Sequence, residues 1–292
     1  MKPVRTAVIP AGGLGTRFLP FSRSVPKELL PLVDTPVLDH VVDECARSGI
    51  ERVILVAAPG KESLGQYFAP SPRVEARLRA EGRDAELAAL QRPERLARVE
   101  VVVQTEPRGN GHAVLVAREA VGDEPFAMLW GDDIVLGPEP AVGQLIAARE
   151  RLGGSVAGAA RFDRALAGRY GVFAGRPERG AFRVSGMVEK PAPAEAPSDL
   201  ASVHGYVLEP EIFDLLARQP AGRGGEIWLV DAVDRLAAQA PVWAVEIAGE
   251  RYDAGDRSGY VSAFVDTALA RPDVGPALRE HLQRRGWRPP EA

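Results

Sequence analysis

An apolar run, Val4 to Pro10, leads straight into Ala11-Gly12-Gly13-Leu14-Gly15-Thr16-Arg17, and Pro26-Lys27-Glu28-Leu29-Leu30-Pro31 follows. No other stretch narrows the fold so far. A strand that ends in a glycine loop can wrap its backbone around a phosphate and offer N–H groups to it. Arg17 and Lys27 then supply cations for a polyphosphate whose charge grows as it reacts. Two commoner nucleotide motifs do not fit. A Walker A loop ends in Gly-Lys-Ser/Thr, whereas these glycines lead to Thr16-Arg17. A dinucleotide fingerprint has a third glycine where Phe18 stands, and an acidic residue after the second strand. Here that strand, Arg52 to Ala57, runs into Ala58-Pro59-Gly60.

Apolar periodicity continues the pattern. Strands are predicted at Val99–Val103 and Pro125–Trp130, with helices over Pro36–Ser48 and Gly111–Val121 between strands. The charged, Ala- and Leu-rich stretch Pro72–Leu96 reads as a helical insertion with a solvated face. Later strands are expected at Ser155–Ala160, Gly171–Ala174, Phe182–Glu189 and Ala201–Leu208. Later helices are expected at Glu211–Leu216, Glu226–Gln239 and Asp256–Ala270. Such alternation predicts an α/β protein: a mostly parallel, mixed central sheet between two helical layers, a three-layer Rossmann-like arrangement. Ligands bind such sheets beyond the carboxyl ends of the strands. The glycine loop, Gln104 and Asp132 all follow strands and are expected to meet there.

Bulk properties exclude several classes. A net charge of −4 provides no basic field for nucleic acid. No apolar run reaches the ~18 residues of a membrane span. One cysteine, Cys45, excludes an internal disulfide and fits a reducing cytoplasm; its place on an apolar helix face predicts burial. Only four of the 36 basic residues are lysine: Lys2, Lys27, Lys61 and Lys190. Lys27 and Lys190 lie within motifs, which suggests a need for a compact ammonium. Lys2 and Lys61 read as solvated surface.

Further chemistry sits at strand ends. Gly131-Asp132-Asp133 and the later Tyr252-Asp253-Ala254-Gly255-Asp256 provide carboxylates from distant segments, a donor type that suits Mg²⁺. The Gln104 amide has both the donor and the acceptor needed for a pyrimidine edge, and Gly109 and Gly111 allow the backbone to approach a ring. His112 reads as packing or capping a helix start. Glu189-Lys190-Pro191 ends another strand, pairing an acceptor for sugar hydroxyls with a cation for a sugar phosphate.

From about Val4 to Val265 these motifs resemble the sugar nucleotidyltransferases, and among them the bacterial UTP–glucose-1-phosphate uridylyltransferases. The resemblance implies one nucleotidyltransferase domain over 1–292. Its nucleotide half covers about 1–135, its sugar-phosphate half about 136–270, and a C-terminal helix about 274–286. It implies that UTP and glucose 1-phosphate become UDP-glucose and diphosphate, with Mg²⁺ on Asp132 and Asp253. Ala11, Gly12, Gly13, Gly15, Thr16, Gln104, Gly109 and Gly111 would hold the nucleotide. Gly171, Glu189, Lys190 and Val203 would hold the sugar phosphate, and Arg17, Lys27 and Lys190 would act in catalysis. It also implies a homodimer or homotetramer. The chain departs from the family pattern at Arg108, Asn110, His204 and Trp228, several of which are expected to line the sugar side. The same chemistry with dTTP or another hexose phosphate, and a non-catalytic regulatory paralogue, are the alternatives.

Overall fold

The computed structural model describes residues 1–287. Its centre is a nine-stranded sheet. Arg98–Val103, Arg52–Ala57, Thr6–Ala11 and Phe126–Leu129 lie side by side and parallel. Leu200–Leu208 pairs antiparallel with the last of these, and Ser155–Arg161, Val242–Glu246, Ala181–Glu189 and Gly171–Glu178 complete a mixed second half.

The inner parallel strands are mostly apolar because both faces are covered, whereas the edge strand Arg98–Val103 carries Arg98 and Glu100 and leaves Val101 and Val103 exposed. Along Thr6–Ala11, Val8 packs into one core while Ala7 and Ile9 pack into the other. One layer contains helices Val37–Arg47 and Ala141–Leu152, with Leu38, Val41, Val42, Cys45, Val142 and Leu145 buried. The opposite layer contains Asn110–Val116, Ile212–Arg218 and Leu229–Gln239. Cys45 is buried, as its helix face predicted. No helix among the described residues is long and apolar enough to cross a membrane.

Several expected elements differ in detail. The Pro72–Leu96 insertion is three short pieces, Pro72–Ala80, Asp84–Gln91 and the 3-10 turn Pro93–Arg95. The first two are separated at Gly82, which adopts φ +67°. Its charges form solvated pairs such as Arg77–Glu81 and Arg83–Glu86, in line with a surface face, although Glu75 is buried. The predicted helix from Glu226 begins only at Leu229. Residues 226–228 are held instead against the 108–111 loop, with Ile227 N donating to Arg108 O (2.7 Å) and Gly111 N to Ile227 O (2.9 Å).

Two features outside the expected list position the site. Asp133–Leu136 and Glu250–Asp253 form an antiparallel ribbon in which Asp253 stands opposite Asp133. A small core of Leu32, Ile134, Tyr252 and Ala263 packs it against helix Arg257–Ala270. The second feature is a bulge in Leu200–Leu208, where pairing with Ser155–Arg161 shifts between Ser202 and Tyr206. His204 takes φ +63° there. A Cβ on Gly205 would collide with the Met128 carbonyl, so the bulge can lie this close to the Phe126–Leu129 strand only with glycine.

Candidate active site

Beyond the carboxyl ends of the parallel strands lie two adjoining cavities of about 400 and 210 Å³. Gly12, Gly13, Lys27, Gln104, Gly109 and Trp228 line the larger; Tyr170, Gly171, Ser202, Tyr206, Arg251 and Asp253 line the smaller. Asn110, Trp130, Asp132, Glu189 and Lys190 border both.

The glycine loop is shaped by its own contacts. Gly15 adopts φ +64°, and a Cβ there would press to 3.2 Å on Ser22 Cβ and 3.4 Å on Lys27 Cβ. Ser22 Oγ donates to Gly15 O at 2.8 Å and closes the turn. This folding-back carries Lys27 beneath the loop, where its ammonium pairs with Asp132. Burial pulls the Lys27 pKa down, but Asp132, Glu28 and Asp253 outweigh it and raise the value, so the cation is retained.

Beneath this pair lies Lys61. Its Nζ donates to Ala11 O at 2.6 Å and to Glu28 at 3.0 Å. Glu28 is only 2% exposed, and burial raises its pKa against the pull of Lys61 and Lys27. Lys61 is thus no solvated surface group, contrary to expectation: it joins the end of the first strand to the Pro26–Pro31 segment. Lys61→Ala would strand the Glu28 carboxylate and is expected to destabilise the fold by about 3 kcal/mol. Urea unfolding checks this, and an unchanged midpoint would contradict it. Lys2, by contrast, is an exposed donor to Asp123 O.

The ribbon brings the two metal-candidate carboxylates together. A Cβ on Gly255 would collide with Asp132 Oδ2 and stand 3.1 Å from Asp253 Oδ1. Burial raises the Asp253 pKa, and the charge of Asp132 raises it further. Next to them, Arg251 forks onto Asp133 at 2.6–3.0 Å. Asp133 also accepts from His204 N at 3.0 Å.

On the base side, Gln104 Nε2 donates to Gly109 O (3.2 Å) and meets His112 Nδ1 at 2.9 Å. Burial and the charge of Arg108 lower the His112 pKa, so a neutral ring accepts through Nδ1. The amide nitrogen is thereby committed, and Oε1 faces Gly12. His112 therefore orients Gln104, a role that its reading as a packing or capping residue had not included.

A nucleotidyl transferase family model matches residues 6–268. The chain belongs to the nucleotidyl transferase family. It is 41% identical to UTP–glucose-1-phosphate uridylyltransferase 2 of Staphylococcus saprophyticus, across 97% of this chain and 99% of that one. Among solved structures it is similar to a UTP-bound UGPase from Acinetobacter baumannii, with TM-score 0.88, 34% identity, and 96% and 99% of the two chains covered. A UDP-glucose pyrophosphorylase complexed with UDP-glucose superposes with TM-score 0.81 and 31% identity, covering 92% of this chain and all of that one.

Within this nucleotidyl transferase, Gly12, Gly13, Lys27, Gln104, Gly109, Asp132, Gly171, Glu189, Lys190 and Asp253 all border the cavities. Other expected site residues lie elsewhere. Gly15, Thr16 and Arg17 are outside both cavities, and Arg17 Nη1 donates to Gly255 O at 3.2 Å. The Ala11 carbonyl is taken by Lys61. Gly111 turns away from the cavities, and a Cβ there would meet Ile227 O at 2.8 Å and Leu229 N at 2.9 Å. Its glycine is required by neighbouring backbone, not by a ring. Gly109 is bounded the same way by Ile227 O at 2.6 Å. Val203 is buried in the bulge, and the cavity is lined by Ser202 and Tyr206 on either side of it. His204 is fully buried and does not touch the sugar side. Of the four departures, only Asn110 and Trp228 border a cavity. Missed on sequence grounds were Lys61, Arg251, Trp130 and the Ser202–Tyr206 hydroxyl pair (2.6 Å). The scarcity of lysine was the one signal that pointed to any of them.

Proposed function

We propose that this nucleotidyl transferase joins UTP and glucose 1-phosphate to give UDP-glucose and diphosphate. The observation that carries the reading is the pair of adjoining cavities, with Asp132 and the Lys190–Glu189 pair bordering both and Lys27 reaching Asp132 from the larger one. The substrate names borne by the similar uridylyltransferase and pyrophosphorylases agree with it.

UTP enters the larger cavity. Gln104 Oε1 accepts from the uracil N3–H, and the Gly12–Gly13 backbone lies along the phosphates. Glucose 1-phosphate enters the smaller cavity. Glu189 accepts from its hydroxyls above Gly171, where a Cβ would press on Met187 Cε at 2.6 Å and on Glu189 Oε2 at 3.3 Å. A phosphate oxygen of the sugar attacks the α-phosphorus in line, and diphosphate leaves. No strong base is needed, so catalysis is positioning and charge neutralisation. Lys27 and Lys190 draw the two phosphates together against their repulsion. Arg17, outside both cavities and donating to Gly255 O, leaves that carbonyl to meet the departing β- and γ-phosphates.

Asp132 and Asp253 suit Mg²⁺: two hard carboxylates converge on one spot and repel each other, which favours a cation between them. Among the described residues no group of three or more His, Cys, Asp or Glu forms a closed cage, and Mg²⁺ ordinarily keeps waters and substrate oxygens in its shell. When bound, the ion supplies charge neutralisation on the phosphates. A cytoplasmic homodimer or homotetramer, without nucleic-acid or membrane partners, completes the reading; the net charge of −4 and the single buried cysteine support its setting.

Diphosphate release with Mg²⁺, crossing UTP, dTTP, ATP, CTP and GTP against glucose, galactose, mannose and N-acetylglucosamine 1-phosphates, tests the proposal. The strongest signal is expected for UTP with glucose 1-phosphate, and a stronger one from any other pair would replace the substrates. Lys190→Ala is expected to lower kcat by about two orders of magnitude; turnover near that of the unaltered enzyme would remove its role.

A further inference from the structure

Lys190 has an unusual setting for a cation. Its backbone lies at φ +47°, a conformation uncommon for side-chain-bearing residues. Its N–H donates to Tyr170 O at 2.9 Å, and Pro191 follows, so the backbone from which the half-exposed side chain springs is fixed. The ammonium has two neighbours: Glu189 Oε1 at 3.0 Å and the face of the Trp228 indole, 5.1 Å from the ring centroid.

Trp228 is itself held rigidly. Its carbonyl accepts from Gln219 Nε2 at 3.0 Å, and Asn110 Oδ1 accepts from the next amide, Leu229 N, at 2.9 Å. Gly111 packs against its backbone, where a Cβ would meet Trp228 C at 2.9 Å. The indole N–H is buried without a partner among the described residues. An indole that only filled space would leave this donor unsatisfied with no gain over phenylalanine or leucine. What indole offers beyond them is the strongest ring face for a cation.

We propose that Trp228 is a positioning residue for Lys190: its indole face holds the ammonium at the junction of the two cavities, ready for the sugar phosphate. The assignment rests on the role of Lys190 given above and extends it. The base-side loop around Asn110 is bonded to the segment bearing Trp228, so the loop beside the base and the cation for the sugar phosphate share one rigid support. Asn110 and Trp228, both departures from the family pattern, act together in it.

A double-mutant cycle separates this from simple packing. W228L is expected to lower kcat about tenfold and W228F less than about threefold, since phenylalanine keeps a ring face. In a K190A background W228L is expected to change kcat less than about twofold. An equal loss from W228L with and without Lys190, or equal losses from W228F and W228L, would overturn the proposal. Near-normal turnover in K190A alone would instead remove the functional role of Lys190. A second readout does not depend on activity. With four lysines in the chain, their side-chain methylene NMR signals can be assigned one by one through Lys→Arg variants. The Lys190 ε-methylene is expected to be displaced upfield by the indole ring current and to return in W228L. An ordinary Lys190 shift in the unaltered enzyme would overturn the proposal whatever the kinetics.

Discussion

Adding one methyl group at Gly255 is expected to abolish most turnover while leaving the fold intact. The Cβ of Gly255→Ala would collide with Asp132 Oδ2 and crowd Asp253 Oδ1 at 3.1 Å. It thus enters the spot on which both carboxylates converge. The Gly255 N–H already orients Asp253, donating to Oδ1 at 3.0 Å, and its carbonyl accepts from Arg17. Asp132 cannot rotate away without loosening its pair with Lys27. Displacing catalytic groups by about 1 Å costs on the order of 100-fold in rate, and here a metal-candidate carboxylate and a phosphate-binding lysine move together. A kcat loss of about 100- to 1,000-fold is therefore expected. Gly255 has no positive φ, so alanine adds no backbone strain, and the unfolding midpoint should stay within about 1 kcal/mol. Gly168→Ala is the control: a Cβ there meets nothing within 4 Å, and its activity should match the unaltered enzyme. Diphosphate release measured for both variants decides the matter. More than about a tenth of normal turnover in Gly255→Ala would show that the convergence of the two carboxylates does not matter to the reaction.

The parts of the site that lay open in the sequence were those written in short contiguous blocks. The glycine loop with Lys27, Gln104 after its strand, and Glu189-Lys190 at another strand end could each be read from local residue types, and all four side chains border the cavities. Asp253 was harder. Its neighbour across the ribbon is Asp133, but the two strands are four residues each, too short for periodicity to register. Their meeting depends on helix Arg257–Ala270 packing over them. Lys61 was misread because its partner Glu28 is buried only once the Pro26–Pro31 segment folds under the first strand. No local pattern announces that a charged residue next to a proline motif will leave the surface. The glycines carried a subtler error. Gly109 and Gly111 are required, as expected, but the atoms that require them belong to residues 226–229. That contact also explains why the helix predicted from Glu226 starts late. Tertiary contact, not propensity, set that boundary.

Removing the Glu44 carboxylate is expected to produce the largest loss of stability available outside the site. Glu44 is buried between two layers, accepting from Val142 N at 2.6 Å at the start of helix Ala141–Leu152 and from His204 Nε2 at 2.8 Å. Glu44→Ala would leave that amide and a fully buried imidazole unpaired, at a cost of about 3–5 kcal/mol, a large fraction of the roughly 5–15 kcal/mol that holds a typical domain folded. The pair also gives the loss a pH signature. Burial alone would lower the His204 pKa, but the charge and hydrogen bond of Glu44, aided by Asp133 and opposed by Arg251, raise it above the ordinary 6.5. A folded value above the unfolded one means that protonation favours the native state. The stabilisation is therefore complete below about pH 6.5 and fades as pH rises through the raised value. Glu44→Gln keeps an oxygen for Val142 N but removes the charge. The stability gap between the unaltered protein and Glu44→Gln is expected to be widest near pH 6 and to narrow toward pH 9. Taking the difference cancels the other titrating groups, which are common to both proteins. Urea unfolding at a series of pH values measures it directly, and a gap that stayed flat or widened with pH would mean that His204 is neutral in the fold. The consequence reaches the site through backbone alone. His204 N donates to Asp133, and Trp130 N donates to His204 O at 3.1 Å. The buried ion pair thus anchors the bulge on which the segment carrying Asp132 rests.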